Sequence, residues 1–311
     1  FVAASLNKSK EFKNVVITTA IAAAHVLILV LSTDLGAALI FFVVYLVMLY
    51  VATRQPLYAI AGLGAGALAA VAGYHLFAHI QVRVEAWQDP IASYGDSGYQ
   101  VAQSLFAIGT GSWFGTGLFQ GQPDTIPVSE TDFIFSAVTE EMGVIYALCL
   151  ILICVSCYVM FLNIAMELHN YFYKLVALGL GTCYIFQVFL QIGGVTKFIP
   201  STGMTLPFVS YGGSSVLSTM IMFGIIQGLY ILREKGSQEM ASEEQRPEKR
   251  RRTNGDSRKS PGRGRAKSRE RARNKEFAWI TYFFVILFIA LMGYLVYFTI
   301  ARADTFVNSP Y

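Results

Sequence analysis

Seven stretches of this chain are almost continuously apolar: residues 14–33, 36–53, 56–79, 133–162, 171–193, 206–232 and 277–300. Each approaches the ~20 residues that a helix needs to cross a ~30 Å hydrocarbon core, so the pattern predicts seven transmembrane helices. The expected fold class is therefore all-α: a polytopic transmembrane bundle of six spans, and one separate span at the carboxyl end. Three domains follow: the bundle over 1–236, a polar tether over 237–275 and a single-span segment over 276–311.

Two segments between the spans do not look like plain loops. Residues 80–131 carry Asp89-Pro90 and then GYQVAQSLFAIGTGSWFGTGLFQGQP, which mixes small, aromatic and aliphatic residues too densely for a disordered linker. A half-buried helix over about 98–108 followed by glycine-rich turns is expected there. Residues 193–215, GGVTKFIPSTGMTLPFVSYGGSS, hold two prolines, five glycines and many hydroxyls, which would break a helix. Broken backbone at membrane depth is tolerated where it packs in protein or lines a wet cavity.

Charge orients the bundle. Only 14% of the residues are charged, against ~25% for an ordinary soluble domain. If the amino end is cytoplasmic, 21 of the 24 Lys and Arg residues lie on that side, leaving only Arg83, Lys197 and Arg302 outside. The opposite arrangement reverses that ratio and is rejected by the positive-inside rule. Both irregular segments then face outward. Residues 246–275 hold 14 Lys and Arg against 3 Asp and Glu; between two spans, such a run is expected to be a disordered tether that fixes topology and touches anionic lipid, not a nucleic-acid arm.

Candidate chemistry gathers at the outer boundary. Asp132 stands where the polar segment meets the apolar run, and it is either a helix cap or a reactive carboxylate. Glu140 and Glu141 follow about two turns later, as structural partners or a proton relay, and Asp34 sits in the turn between the first two spans, as a cap or an ion-pair partner. Arg83 and Lys197 adjoin the two irregular segments and suit an anionic ligand. SYGGSS at 210–215 lacks the pattern of a phosphate-binding P-loop. Cys154 and Cys157 are spaced as CxxC, but no second pair or histidine completes a zinc set. No metal site is assigned and no organic cofactor is expected.

TDFIFSAVTEEMG at 131–143, the run from Asp89 to Gly111 ending GYQVAQSLFAIGTG, TGMTLPFVSYGGSS at 202–215 and Asp34-Leu35-Gly36 together resemble the SEDS family, the shape, elongation, division and sporulation proteins. The resemblance covers residues 14 to about 236. It implies a peptidoglycan glycosyltransferase, with Asp132 matching the family's essential external carboxylate. Glu130 departs from the pattern, since family members commonly carry His there. The implied substrates are lipid II and the growing glycan strand, on the outer face of the bacterial cytoplasmic membrane. Arg83, Gln100, Lys197, Thr202, Ser210, Gly212 and Ser214 are the substrate-binding candidates, with Mg²⁺ or Mn²⁺ as a candidate to share the diphosphate charge. The last span resembles the anchor of a class B penicillin-binding protein, joined in cis. Competing readings are a lipid II flippase using Asp34, Glu140 and Glu141 as coupling carboxylates, and a non-catalytic scaffold that recruits a transpeptidase. No Met begins the chain, and the family has ten spans, so the sequence is expected to be a piece of a longer protein that lacks the first four.

Overall fold

The computed structural model describes residues 2–8, 12–254, 275–303 and 306, and no β-strand occurs among them. The helices are α1 (Val2–Lys8), α2 (Phe12–Leu31), α3 (Leu35–Thr53), α4 (Pro56–Leu76), α5 (Ala78–Gln88), α6 (Tyr99–Gly111), α7 (Ile134–Glu167), α8 (Tyr171–Val195), α9 (Gly213–Asn254) and α10 (Lys275–Ala301). Seven of them, α2, α3, α4, α7, α8, α9 and α10, are long and apolar enough to cross a membrane, as the apolar runs predict. Local chemistry sets several ends. The Asp34 carboxylate accepts from the Ala37 amide and caps α3, while Pro56 opens α4, where its missing N–H costs nothing.

The centre of the bundle is α8. Of its most apolar stretch 72% is buried, against 6% for α4. Small residues let neighbours approach closely: Gly179 lies under Met48 of α3, and Gly181 under Tyr158 and Phe161 of α7. The last helix, α10, docks on this core through one face carrying Phe277, Phe284, Phe288, Leu291, Leu295 and Phe298. Phe284 meets Tyr158 edge-on at 5.4 Å between ring centroids, and Phe288 meets Phe189 at 6.1 Å. Glu276 faces Arg54 at 3.7 Å, and Lys174 donates to the Met166 carbonyl at 2.6 Å beneath the Phe277 ring. The span that is separate in sequence is thus packed against the others.

The long helix α7 is two helices in one. Antiparallel contacts with α8 run from Lys174 at Met166 through Gly181 at Phe161 to Tyr184 beside Phe161, a register that carries Val195 to the level of about Ile145. Yet Ser104 of α6 bonds both the Ser136 hydroxyl at 2.5 Å and the Val195 carbonyl at 2.8 Å. Ser136 and Ile145 therefore stand at one level, although a straight helix would separate them by about 13 Å. The turn is at Gly143, with φ 82° and ψ 168°. Below it, residues 144–167 form a rod of about 36 Å, enough to span; above it, 134–142 runs along the end of the bundle.

The break is mended by the loop that follows α6. In an unbroken helix the Val144 and Ile145 amides would donate to the Glu140 and Glu141 carbonyls. Instead they donate to Ser112 O at 2.9 Å and Trp113 O at 3.3 Å, while Thr116 N and Gly117 N donate to Glu140 O and Glu141 O at 2.9 and 3.0 Å. Four bonds to the loop replace two within the helix, so none of these four groups is orphaned. Gly111, Gly115 and Gly143 allow the two backbones to touch; a Cβ on any of them would run into backbone of the facing segment.

Three expectations change. Glu140 and Glu141 are not two turns deep in lipid, because the Gly143 bend keeps them at the end of the bundle. The helix expected from residue 206 begins at Gly213, since Pro207 and the turn through Ser210 precede it. The tether expected to be disordered from 237 is helical as far as Asn254, over a stretch rich in Glu, Arg and Gln, which favour helix, and in spite of Pro247. The rest of the tether, 255–274, and the closing residues 307–311 lie outside the described residues.

Candidate functional site

Asp132 lies at the mouth of the bundle, where three irregular pieces are fastened together. Phe133, not Asp132, is the N-cap of α7, so the carboxylate is not used in closing that helix. Its own main-chain carbonyl accepts from the Gln191 amide of α8 at 3.1 Å. On either side, Ser210 Oγ donates to Thr131 O at 2.6 Å and Tyr211 N donates to Glu130 O at 2.8 Å. The Ser210 hydroxyl also accepts from Leu206 N at 2.7 Å, which makes it the pin between the 196–212 loop and the Asp132 strand of backbone.

The 196–212 loop supplies the wall facing the carboxylate. Gly203 has φ 70°, and a Cβ there would stand 3.4 Å from Asp132 Oδ2. The loop is held to α8 by Gln187, which donates to Thr205 O at 2.9 Å, and to the first turn of α9 by the Thr205–Ser215 hydroxyl pair at 2.7 Å. Gly36, two residues beyond the Asp34 cap, packs directly under Met204 and Thr202 O. The Asp34 turn thus supports the wall from below. Thr202 Oγ1 is buried and has no partner among the described residues.

Helix α5 brings the positive charge. Arg83 Nη1 donates to Ser201 O at 2.9 Å, and Trp87 Nε1 donates to Lys197 O at 3.0 Å, so α5 lies along the loop. Lys197 answers by donating to Gln88 O at 3.1 Å. Asp132 is half-buried, and burial pushes its carboxyl above the usual carboxylate range; a hydrogen bond from Thr131 and the charge of Arg83 pull against that rise. Burial also lowers the Lys197 ammonium from its ordinary value, opposed by Asp89 and assisted by Arg302 beyond α10. A half-buried carboxylate with a raised proton affinity and a cation beside it is suited to taking a proton from a bound hydroxyl.

Other candidates fall further out. Gly212 and Ser210 line an open, mostly apolar groove of about 820 Å³ that starts at Glu130 and Ile134 and descends past Leu217 and Met220 of α9; it opens beside Asp132 without being lined by it. Ser214 is exposed on the first turn of α9, and Gln100 is exposed on α6. Glu140 Oε1 accepts from Gln122 N at 3.1 Å, so this residue braces the loop after α6, and Glu141 packs beside it against Gly121. Among the described residues no three His, Cys, Asp or Glu side chains converge on a metal position. The donor set fits a hard cation held by one carboxylate and a ligand's own oxygens, not an all-protein cage.

The sequence reading did not single out Gly203, Gln191, Gln187 or Trp87. A signal existed for the two glutamines, since polar amides inside an apolar span need partners. For Gly203 and Trp87 nothing short of the folded loop reveals the contact.

Comparison with known proteins places this arrangement. The sequence profile of the cell cycle protein family of FtsW, RodA and SpoVE matches residues 1–235. The peptidoglycan glycosyltransferase RodA of Mycobacterium tuberculosis is 40% identical over 199 residues, 64% of this chain and 42% of that protein. A probable peptidoglycan glycosyltransferase FtsW of Saccharophagus degradans is 37% identical over 217 residues, covering 67% of this chain and 55% of that one. This chain therefore spans about half the length of these curated relatives. A chain from a solved peptidoglycan synthase complex, described as coordinating polymerization and crosslinking, superposes with a TM-score of 0.59 at 27% identity, over 75% of this chain and 66% of that one.

Proposed function

The chain belongs to the FtsW, RodA and SpoVE family of cell cycle proteins, and on that premise we propose that it is the catalytic part of a peptidoglycan glycosyltransferase that polymerises lipid II. The observation that carries this reading is the half-buried carboxyl of Asp132, raised by burial, with Arg83 beside it and three mutually fastened segments around it. In this mechanism Asp132 takes the proton from the 4-hydroxyl of the acceptor GlcNAc as that oxygen attacks C1 of the donor MurNAc. The bond from C1 to the polyprenyl diphosphate breaks, and the diphosphate leaves with both electrons. Inversion at C1 turns the α-linked donor into a β-glycoside, so a single base is sufficient and no covalent enzyme intermediate forms.

Arg83 and Lys197 are the side chains that would balance the leaving diphosphate, aided by Mg²⁺ or Mn²⁺ where the substrate supplies further oxygen ligands. Thr202, with its unpartnered hydroxyl, is a candidate to bond the sugar or phosphate. The membrane is the bacterial cytoplasmic membrane and the site faces outward, as the distribution of basic residues supports. Because activated nucleotides are absent outside the cell, a substrate carrying its own diphosphate leaving group fits that location.

The docked helix α10 is read as the anchor of a class B penicillin-binding protein joined in cis, which would hold a crosslinking partner next to the polymerase; a basic stretch precedes it and suits anionic lipid. The test is lipid II polymerisation by the purified chain in detergent. Asp132→Asn should lose about 10²–10⁴ in rate while still inserting in the membrane; glycan synthesis at the parental rate by that variant would overturn the assignment.

A further inference from the structure

The loop after α6 exposes large apolar side chains that no contact among the described residues covers. Phe114 is 84% exposed and Phe119 91% exposed, with Leu118 between them at 62%. Phe119 has φ 62°, a left-handed backbone that is uncommon for a bulky residue. A strained aromatic residue with almost nothing packed on it points to a role outside the fold.

The level of the loop is fixed by the splice into α7. Ser112 and Trp113 are bonded to the amides of Val144 and Ile145, the first residues of the rod that crosses the membrane. Ile145, Tyr146, Leu152, Ile153 and Met160 expose an apolar stripe down that rod. The bonds to Val144 and Ile145 put the loop's apolar side chains at the upper end of that rod. The loop therefore stands where the membrane-crossing part of α7 begins, at the depth where amphipathic aromatic residues sit between headgroups and chains.

We infer that residues 114–119 form a hydrophobic foot that inserts into the boundary of the leaflet on the Asp132 side, and that its partner is the lipid surface itself. The four main-chain bonds to α7 make the foot rigid with respect to residues 140–145, and through 134–142 with respect to Asp132. The depth of the foot then sets the depth of the carboxylate relative to the phosphate layer. This inference does not depend on which reaction Asp132 performs.

Spin labelling in lipid nanodiscs tests it. In the full chain with Cys149, Cys154, Cys157 and Cys183 replaced by alanine, a nitroxide is attached at Phe119→Cys, with Leu152→Cys as the lipid reference and Asp96→Cys as the water reference. Expected is loss of access to a water-soluble nickel chelate relative to Asp96, with oxygen access approaching that of Leu152. Nickel access equal to that at Asp96 would place the loop in water and overturn the proposal. Exclusion of both reagents would mean that protein covers the loop, and would overturn it equally. A second label at Phe114→Cys repeats the measurement at the other end of the foot, and both positions are exposed enough to accept a label without disturbing packing.

Discussion

Gly203 holds its backbone against the carboxylate of Asp132: a Cβ built on it would stand 3.4 Å from Oδ2, on a residue whose φ is 70°. Gly203→Ala therefore strains the loop by about 1 kcal/mol and places a methyl group against the base. Lipid II polymerisation should fall well below the parental rate while the chain still inserts and purifies as before. Unchanged polymerisation would mean that this side of the carboxylate is not where the acceptor approaches.

Burial raises the Asp132 carboxyl above its ordinary value. The native state then binds the proton more tightly than the unfolded chain, so ionising Asp132 destabilises the fold. Stability should fall as pH rises from the ordinary carboxylate range through the raised native value, and level off above it. Asp132→Asn should remove that fall and melt higher than the parent at neutral pH. Thermal unfolding of both proteins in nanodiscs across this pH range checks the sign.

In the proposed mechanism Asp132 acts as its ionised carboxylate, so the rate of polymerisation should rise with pH through the same raised value. Arg83 favours the charged form, and Arg83→Gln should move the acid limb of the rate profile to higher pH. A limb that stays in place in this variant would show that Arg83 does not tune the base.

At Gly143 the backbone occupies a region that is essentially reserved for glycine, and a Cβ would strike Trp113 O and the loop backbone. Gly143→Ala should cost about 1–3 kcal/mol from conformation alone, with the loss of the splice added. Proteolysis within 112–122 should become faster, which reports the loop leaving α7.

The last helix is held by its aromatic face more than by its charge. The Arg54–Glu276 pair is 3.7 Å apart and partly exposed, so Arg54→Gln should change stability by at most about 1 kcal/mol. Phe284→Ala opens a cavity against Tyr158 and should cost about 3 kcal/mol or more. Disulfide crosslinking between engineered cysteines on α7 and α10 should weaken in the second variant and persist in the first.

Much of the architecture was written in local pattern. Runs of apolar residues give the seven spans because a helix is the structure that satisfies its own backbone in lipid. Asp34 before Leu35 and Pro56 after Gln55 give helix starts because their chemistry acts within one turn. The helix over 99–111 was legible as well, from a dense mixture of small and aliphatic residues. Helix ends that depend on a partner were not: α9 starts at Gly213, where Ser210 and Tyr211 are pulled onto Thr131 and Glu130.

The sequence by itself determined that this is a helical membrane protein and that Asp132 stands where loop becomes helix. Tertiary structure decided where Asp132 sits in space, because that depends on a break at Gly143 whose unpaired amides and carbonyls are met by residues 112–117, far away in sequence. It also decided that Arg83 and Gly203 approach the Asp132 carboxylate while Gln191 holds that residue's main-chain carbonyl. Hydrophobic periodicity reports how each segment meets lipid, whereas a site made of loops is fixed by hydrogen bonds between distant segments, which leave no periodic trace in the sequence.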